Sequence, residues 1–194
     1  MRLAAFALGA ATLGVMLQAQ PLIEGKVDSP VKVVIYEDLQ CSDCAAFRKM
    51  MDEHLLPRFR ATVAFIHRDF PLTKHAWARK AAIAARHFAD LRPELGVAFR
   101  RSAMEGISET TEANLAERVA AFAAKNGADA KRAAAALNDQ SLGELVDKDF
   151  ADGVGRGVSK TPTVFVNGVP FIESFSVAEI SKAIDQALAE TNAK

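Results

Sequence analysis

An almost continuously apolar, β-branched run, Val31-Lys32-Val33-Val34-Ile35-Tyr36, leads directly into Cys41-Ser42-Asp43-Cys44, and these two cysteines are the only ones in the chain. The run reads as a buried strand. Apolar residues at helical spacing follow it, so the cysteine pair opens a helix. A chain using cysteine for structure would scatter it, and a structural zinc site would need two more soft ligands. One C-x-x-C alone fits a dithiol that cycles between reduced and oxidised forms. Cysteines three apart on a first turn are near enough to bond. Cys41 falls at the helix N-terminus, where unpaired N–H groups and the dipole favour an anion by up to about 2 kcal/mol. That is roughly 1.5 pKa units, enough to bring a thiol near 8.5 toward neutrality. Cys41 is therefore expected to be the exposed nucleophile, and Cys44, a turn deeper, the resolving thiol. Asp43 places negative charge beside the thiolate and is expected to oppose it; Ser42 is neutral.

The chain has 194 residues, enough for one domain with a large insertion. Basic and acidic residues balance at 24 each, so no charge excess points to nucleic acid or to an acidic tail. Residues 1–19 stand apart. Arg2 precedes an uncharged apolar stretch, Leu3 to Leu17, and Leu17-Gln18-Ala19 offers a small-residue cleavage site. This is the pattern of a secretory signal, or of an N-terminal anchor if it is not cleaved. Export to the periplasm, or elsewhere outside the cytoplasm, agrees with a redox-active cysteine pair.

Pro21 to Pro30 reads as a polar lead-in. The helix after Cys41 carries Phe47, Met50, Met51, His54 and Leu55 inward, and Pro57 is expected to end or kink it. Thr62 to Ile66 reads as a second strand. Residues 74–153 read as helical, with Trp77, Ala81, Ala84 and Phe88 on one face, Pro93 in a first turn, a stop at Asn126-Gly127, and a capping box at Ser141-Leu142-Gly143-Glu144. Gly153, Gly155 and Gly157 break the helical pattern. Thr163 to Val166, Asn167-Gly168 and Val169 to Ile172 read as a hairpin, with Pro170 marking an edge strand. Ser176 to Glu179 caps a final helix with Val177, Ile180, Ile184 and Leu188 inward. The first two strands and their helix suit a right-handed parallel crossover, and the hairpin adds antiparallel strands. The expectation is an α/β fold with a mixed sheet: residues 20–73 and 154–194 form one domain, and residues 74–153 a helical insertion.

Three segments together resemble the DsbA-like branch of the thioredoxin superfamily, including its BdbD-like bacterial members. They are Val33 to Cys44, with Asp38 three residues before the first cysteine; Phe65-Ile66-His67-Arg68-Asp69-Phe70-Pro71-Leu72; and Gly157 to Gly168, containing Thr161-Pro162. The resemblance implies a thioredoxin-like fold and protein thiol:disulfide oxidoreductase activity without a cofactor. It implies that Pro162 is cis and faces Cys41 and Cys44, and that Thr161 pairs with an extended substrate strand. It further implies reduced exported proteins as substrates and a membrane redox partner that recycles the dithiol. This chain departs from the pattern at Ser42 and Asp43, and at Lys160, where glycine is common. Lys160 either offsets Asp43, attracts acidic substrates or is a solvated loop lysine. Some thioredoxin relatives carry a buried acid six residues before the first cysteine as a proton acceptor; here that position is Ile35. Glu37 and Asp38 are candidates for a proton relay, Asp38 also for tying down the active-site loop.

Other function classes remain open on the residues alone. His54, His67, His75 and His87 have no H-x-x-x-H spacing, and each is better read as a core or surface histidine, so no resident metal is expected. Soft-metal capture by the reduced pair and peptide binding beside the helical block are the lesser alternatives. Within redox chemistry, an oxidase leads and a reductase is the alternative. Residues 20–30 leave no room for an upstream dimerisation domain, so a monomer is expected.

Overall fold

The computed structural model describes residues 22–193; the proposed signal or anchor in residues 1–19 lies outside them. Five strands form one mixed sheet: β1 (Leu22–Gly25), β2 (Lys32–Glu37), β3 (Ala64–Asp69), β4 (Thr163–Val166) and β5 (Val169–Ile172). Their spatial order is β1-β3-β2-β4-β5. β2 and β3 run parallel, with Val33 opposite Phe65, while β4 is antiparallel to β2 with Val164 opposite Ile35. The crossover and hairpin expected from the sequence are both present. Asn167 and Gly168 turn the hairpin with φ of 44° and 91°, the backbone region that suits asparagine and glycine. β1 is a strand the sequence reading missed. It pairs antiparallel to β3, with Ile23 opposite Ile66.

The period-2 alternation divides the sheet into two faces. On one face Val33, Ile35, Phe65, Val164 and Val166 pack against Phe47, Met51 and Leu55 together with Ile180 and Ile184. These partners lie on α1 (Ser42–Met50), on the π-helical turn Met51–Leu55 that continues it, and on α8 (Val177–Asn192). Pro57 does not end the helical path. It enters the first turn of a short α2 (Leu56–Phe59), where its missing N–H costs little, after the widened turn. α8 opens on the expected capping box: Ser176 and Glu179 exchange side chain-to-backbone bonds.

Between β3 and β4 the chain is helical: α3 (Ala78–Leu91), α4 (Pro93–Glu105), α5 (Leu115–Lys125), α6 (Ala130–Ala135) and α7 (Gln140–Gly155). Phe88, Phe99 and Phe122 meet at centroid separations of 4.9–5.1 Å and centre this block's core. α7 starts earlier than expected. Asp139, not Ser141, caps it by accepting from the Leu142 N–H at 3.0 Å. It also runs through Gly153 and ends at Gly155. Gly153 is required by close approach: a Cβ there would lie 2.7 Å from the Phe70 ring and 2.9 Å from Tyr36. α7 thereby lies against β3 and the Tyr36 side chain of β2. Among the described residues, no helix is long and apolar enough to cross a membrane.

Candidate active site

β2 ends at Glu37, three residues turn the chain, and Cys41 becomes the N-cap of α1 in an extended conformation. The Cys41 carbonyl accepts the first helical bond, from the Ala45 N–H at 3.1 Å. Cys44 is fully buried, and Cys41 is only 7 % exposed. The expectation of an openly exposed nucleophile is thus corrected: Cys41 packs into the core of the helical block. Both cysteines are free thiols and join the core of the helical block, beside Leu39, Trp77 and Phe88.

The two thiols are pushed in opposite directions. A hydrogen bond from Cys44 is the largest influence on Cys41. Together with the first-turn N–H groups of Cys44 and Asp43, it overcomes burial and brings Cys41 from 9 down to about 5. Burial raises Cys44 well above 9, and proximity to the Cys41 anion adds to this. A thiolate is therefore held at the mouth of the site and a neutral thiol beneath it.

Asp38 is the hub of the loop. Its carbonyl accepts from the Cys41 N–H at 3.1 Å, and its N–H donates to Cys44 Sγ at 3.4 Å. Its carboxylate accepts from the N–H groups of Gln40 and Leu72 and from His75 Nδ1, each at 2.7 Å. Gln40 makes a second tie across the same gap, its Oε1 accepting from the Trp77 N–H at 2.9 Å. From the other side, the Thr161 carbonyl lies 3.5 Å from Cys41 Sγ and accepts from it only while Cys41 is protonated. The Thr161–Pro162 bond is cis, and the buried Thr161 Oγ1 has no partner.

The remaining expected residues lie elsewhere. Ser42 and Asp43 project to the surface of the first turn. Lys160 does not offset Asp43; it pairs with Glu173 at 2.7 Å. Glu37 points away from the loop hub into a buried ionic cluster. It meets His67 Nδ1 at 2.7 Å and Arg100 Nε at 2.8 Å, and Arg100 reaches Asp69 at 2.6 Å. Burial alone would raise the Glu37 carboxyl, but the charges of His67 and Arg100 bring it down to about 2. Sequence reasoning missed this cluster and the His75 contact. The signals present were Glu37 beside Asp38 and His67 within the second resembling segment. Among the described residues, no group of three or more His, Cys, Asp or Glu side chains is placed to hold a metal.

Two curated relatives are Na(+)/H(+) antiporters of the NhaA type. The Herminiimonas arsenicoxydans protein is 28% identical over 165 residues, covering 84% of this chain and 25% of that one, and the Salinispora arenicola protein is 29% identical over 170 residues. The chain thus spans about a quarter of the length of the curated relatives it matches. Solved structures with the same fold include α-DsbA1 of Wolbachia pipientis, with TM-score 0.72 and 18% identity over 88% of this chain and 94% of that one. BdbD of Bacillus subtilis gives 0.73 and 22% over 87% and 93%, and Chlamydia trachomatis DsbA 0.73 and 17% over the whole of both chains. A family model described as thioredoxin matches residues 18–186, taking in the sheet, the helical block and both cysteines. The chain belongs to the thioredoxin family.

Proposed function

We propose that the protein is an exported thiol:disulfide oxidoreductase that works as an oxidase of reduced proteins. The observation that carries this reading is the asymmetry of the pair, a stabilised Cys41 anion over a buried, neutral Cys44. In the oxidised form a substrate thiolate bonds to Cys41 Sγ, and the Cys41–Cys44 bond breaks toward Cys44. A second substrate thiolate then attacks the substrate sulfur of the mixed disulfide, and Cys41 departs as a thiolate. The substrate gains a disulfide, and two electrons remain on the Cys41/Cys44 dithiol. A low Cys41 pKa makes Cys41 a good leaving group and stabilises the reduced product, which makes the disulfide oxidising.

Thr161 and Pro162 lie where an extended substrate strand beside Cys41 would meet the backbone, in β-augmentation. Asp38 holds the loop, Ser42 and Asp43 tune the pair from the surface, and Glu37 tunes it through the ionic cluster. The helical elements of residues 74–153 act as an inserted domain that closes over the dithiol. Reuse of the site needs a membrane redox partner that accepts the two electrons, and the working compartment is the periplasm or its equivalent. The protein acts as a monomer, and resident metal or cofactor takes no part.

Single-cysteine variants test the chemistry. Cys44→Ser, offered a protein disulfide, should accumulate as a mixed disulfide through Cys41, while Cys41→Ser should not. Equal trapping by both variants, or by neither, would contradict these roles.

A further inference from the structure

His75 belongs to no motif of the site, yet it contacts the one residue that holds both cysteines. The Asp38 carboxylate is completely buried and takes three hydrogen bonds. Two donors are backbone N–H groups, of Gln40 and Leu72. The third is His75 Nδ1 at 2.7 Å, the only side chain among them. Because its partner is a carboxylate, Nδ1 carries the proton. The ring sits in the turn between β3 and α3, with its main-chain N–H fixed to the Leu72 carbonyl at 2.9 Å. Its side chain is 17 % exposed, so His75 forms the solvent-facing end of a connected path: imidazole, Asp38 carboxylate, Asp38 N–H, Cys44 Sγ.

We propose that His75 is a positioning residue of the dithiol: by holding the Asp38 carboxylate it aims the Asp38 N–H at Cys44 Sγ and so favours the reduced pair over the disulfide. This rests on Cys41 and Cys44 being the redox pair. When a substrate thiolate bonds to Cys41 Sγ, the electron pair of the broken Cys41–Cys44 bond goes to Cys44 Sγ. The Asp38 N–H meets that developing charge before Cys44 takes up a proton from water. In the reduced pair the Cys44 thiol donates to the Cys41 anion, which leaves its sulfur a better acceptor for the Asp38 N–H than a disulfide sulfur is, so the bond stabilises the reduced side of the equilibrium. Removing the imidazole leaves the buried carboxylate one donor short and loosens the loop from the segment after β3.

His75→Leu fills the same space without a donor, and His75→Asn restores an N–H near the Nδ1 position; His75→Ala replaces the leucine variant if that does not fold. Each is equilibrated with glutathione, and unfolding is measured for both redox forms. His75→Leu should shift the equilibrium about fivefold toward the disulfide, the size expected of one hydrogen bond. Its reduced form should lose more stability than its oxidised form, and His75→Asn should recover most of the shift. Equal loss in both forms with an unchanged glutathione equilibrium would reduce His75 to a structural role and overturn the proposal while leaving the dithiol intact. A wild-type protein that does not exchange with glutathione would overturn the dithiol itself.

Discussion

We propose that Asp43 acts on Cys41 in two opposing ways. Its backbone N–H belongs to the first turn of α1 and helps hold the thiolate, while its carboxylate, exposed on the same turn, adds negative charge nearby. Replacing the side chain changes only the second effect. Asp43→His should therefore lower the Cys41 pKa from its value near 5 by roughly half a unit or more, and make the disulfide more oxidising. Titration of thiolate absorbance in the two proteins checks this, and identical midpoints would mean that Asp43 is simply solvated. At this scale the sequence was informative where chemistry is local. The C-x-x-C spacing, the apolar run before it and the Thr161-Pro162 segment marked the site, because each acts through its immediate neighbours. The Lys160 partner, Glu173, lies across a hairpin, and nothing in the residues around position 160 reveals it.

Elements are joined here by buried charge as well as by apolar packing. Arg100 on α4 bridges Glu37 on β2 and Asp69 on β3, and Arg86 on α3 bridges Asp69 and Asp149 of α7. His67 on β3 sits between Glu37 and Glu24 of β1. Partners so far apart in sequence leave no periodic signal, so the cluster was illegible before the fold was known. β1 was missed for a related reason: four residues ending in a glycine of φ 90° become a strand only once β3 offers an edge. By contrast, the Ser176 cap, Pro93 and the Asn167-Gly168 turn act within a few residues and were read correctly. The cluster carries a pH signature. Burial raises the Glu24 and Glu37 carboxyls, but their cationic neighbours bring both from 4.5 down to about 2. Folded values below unfolded ones give stability that is present above about pH 4.5 and lost as pH falls toward 2. His67 has the opposite sign: burial lowers it, the two carboxylates more than compensate, and its contribution, full below 6.5, fades as pH rises through the raised folded value. Denaturant unfolding across pH should show its maximum between these limits. Glu37→Gln should cost about 3 kcal/mol or more near neutrality and weaken the loss on acidification. An unchanged acid limb in that variant would remove Glu37 from the account.

Taken as one molecule, the protein places its dithiol at the junction of two bodies of structure. The sheet, with α1, supplies the helix N-terminus that stabilises Cys41. The helical block covers Cys44. The loop from β3 to α3 fastens to the active-site turn through Asp38 and Gln40, and the segment before β4 brings Thr161 and Pro162 against Cys41. The order of these parts was legible in the sequence because apolar periodicity and turn residues recur along the chain. Their junction was not, because it is made of contacts between residues more than thirty positions apart. The central claim is that this junction makes the disulfide oxidising by stabilising the reduced pair. The reduction potential, measured by equilibration with glutathione, tests it most directly. A value above about −200 mV, toward the −120 mV of strong oxidants, is expected; a value at or below about −270 mV, that of thioredoxin, would make the pair a reductant instead.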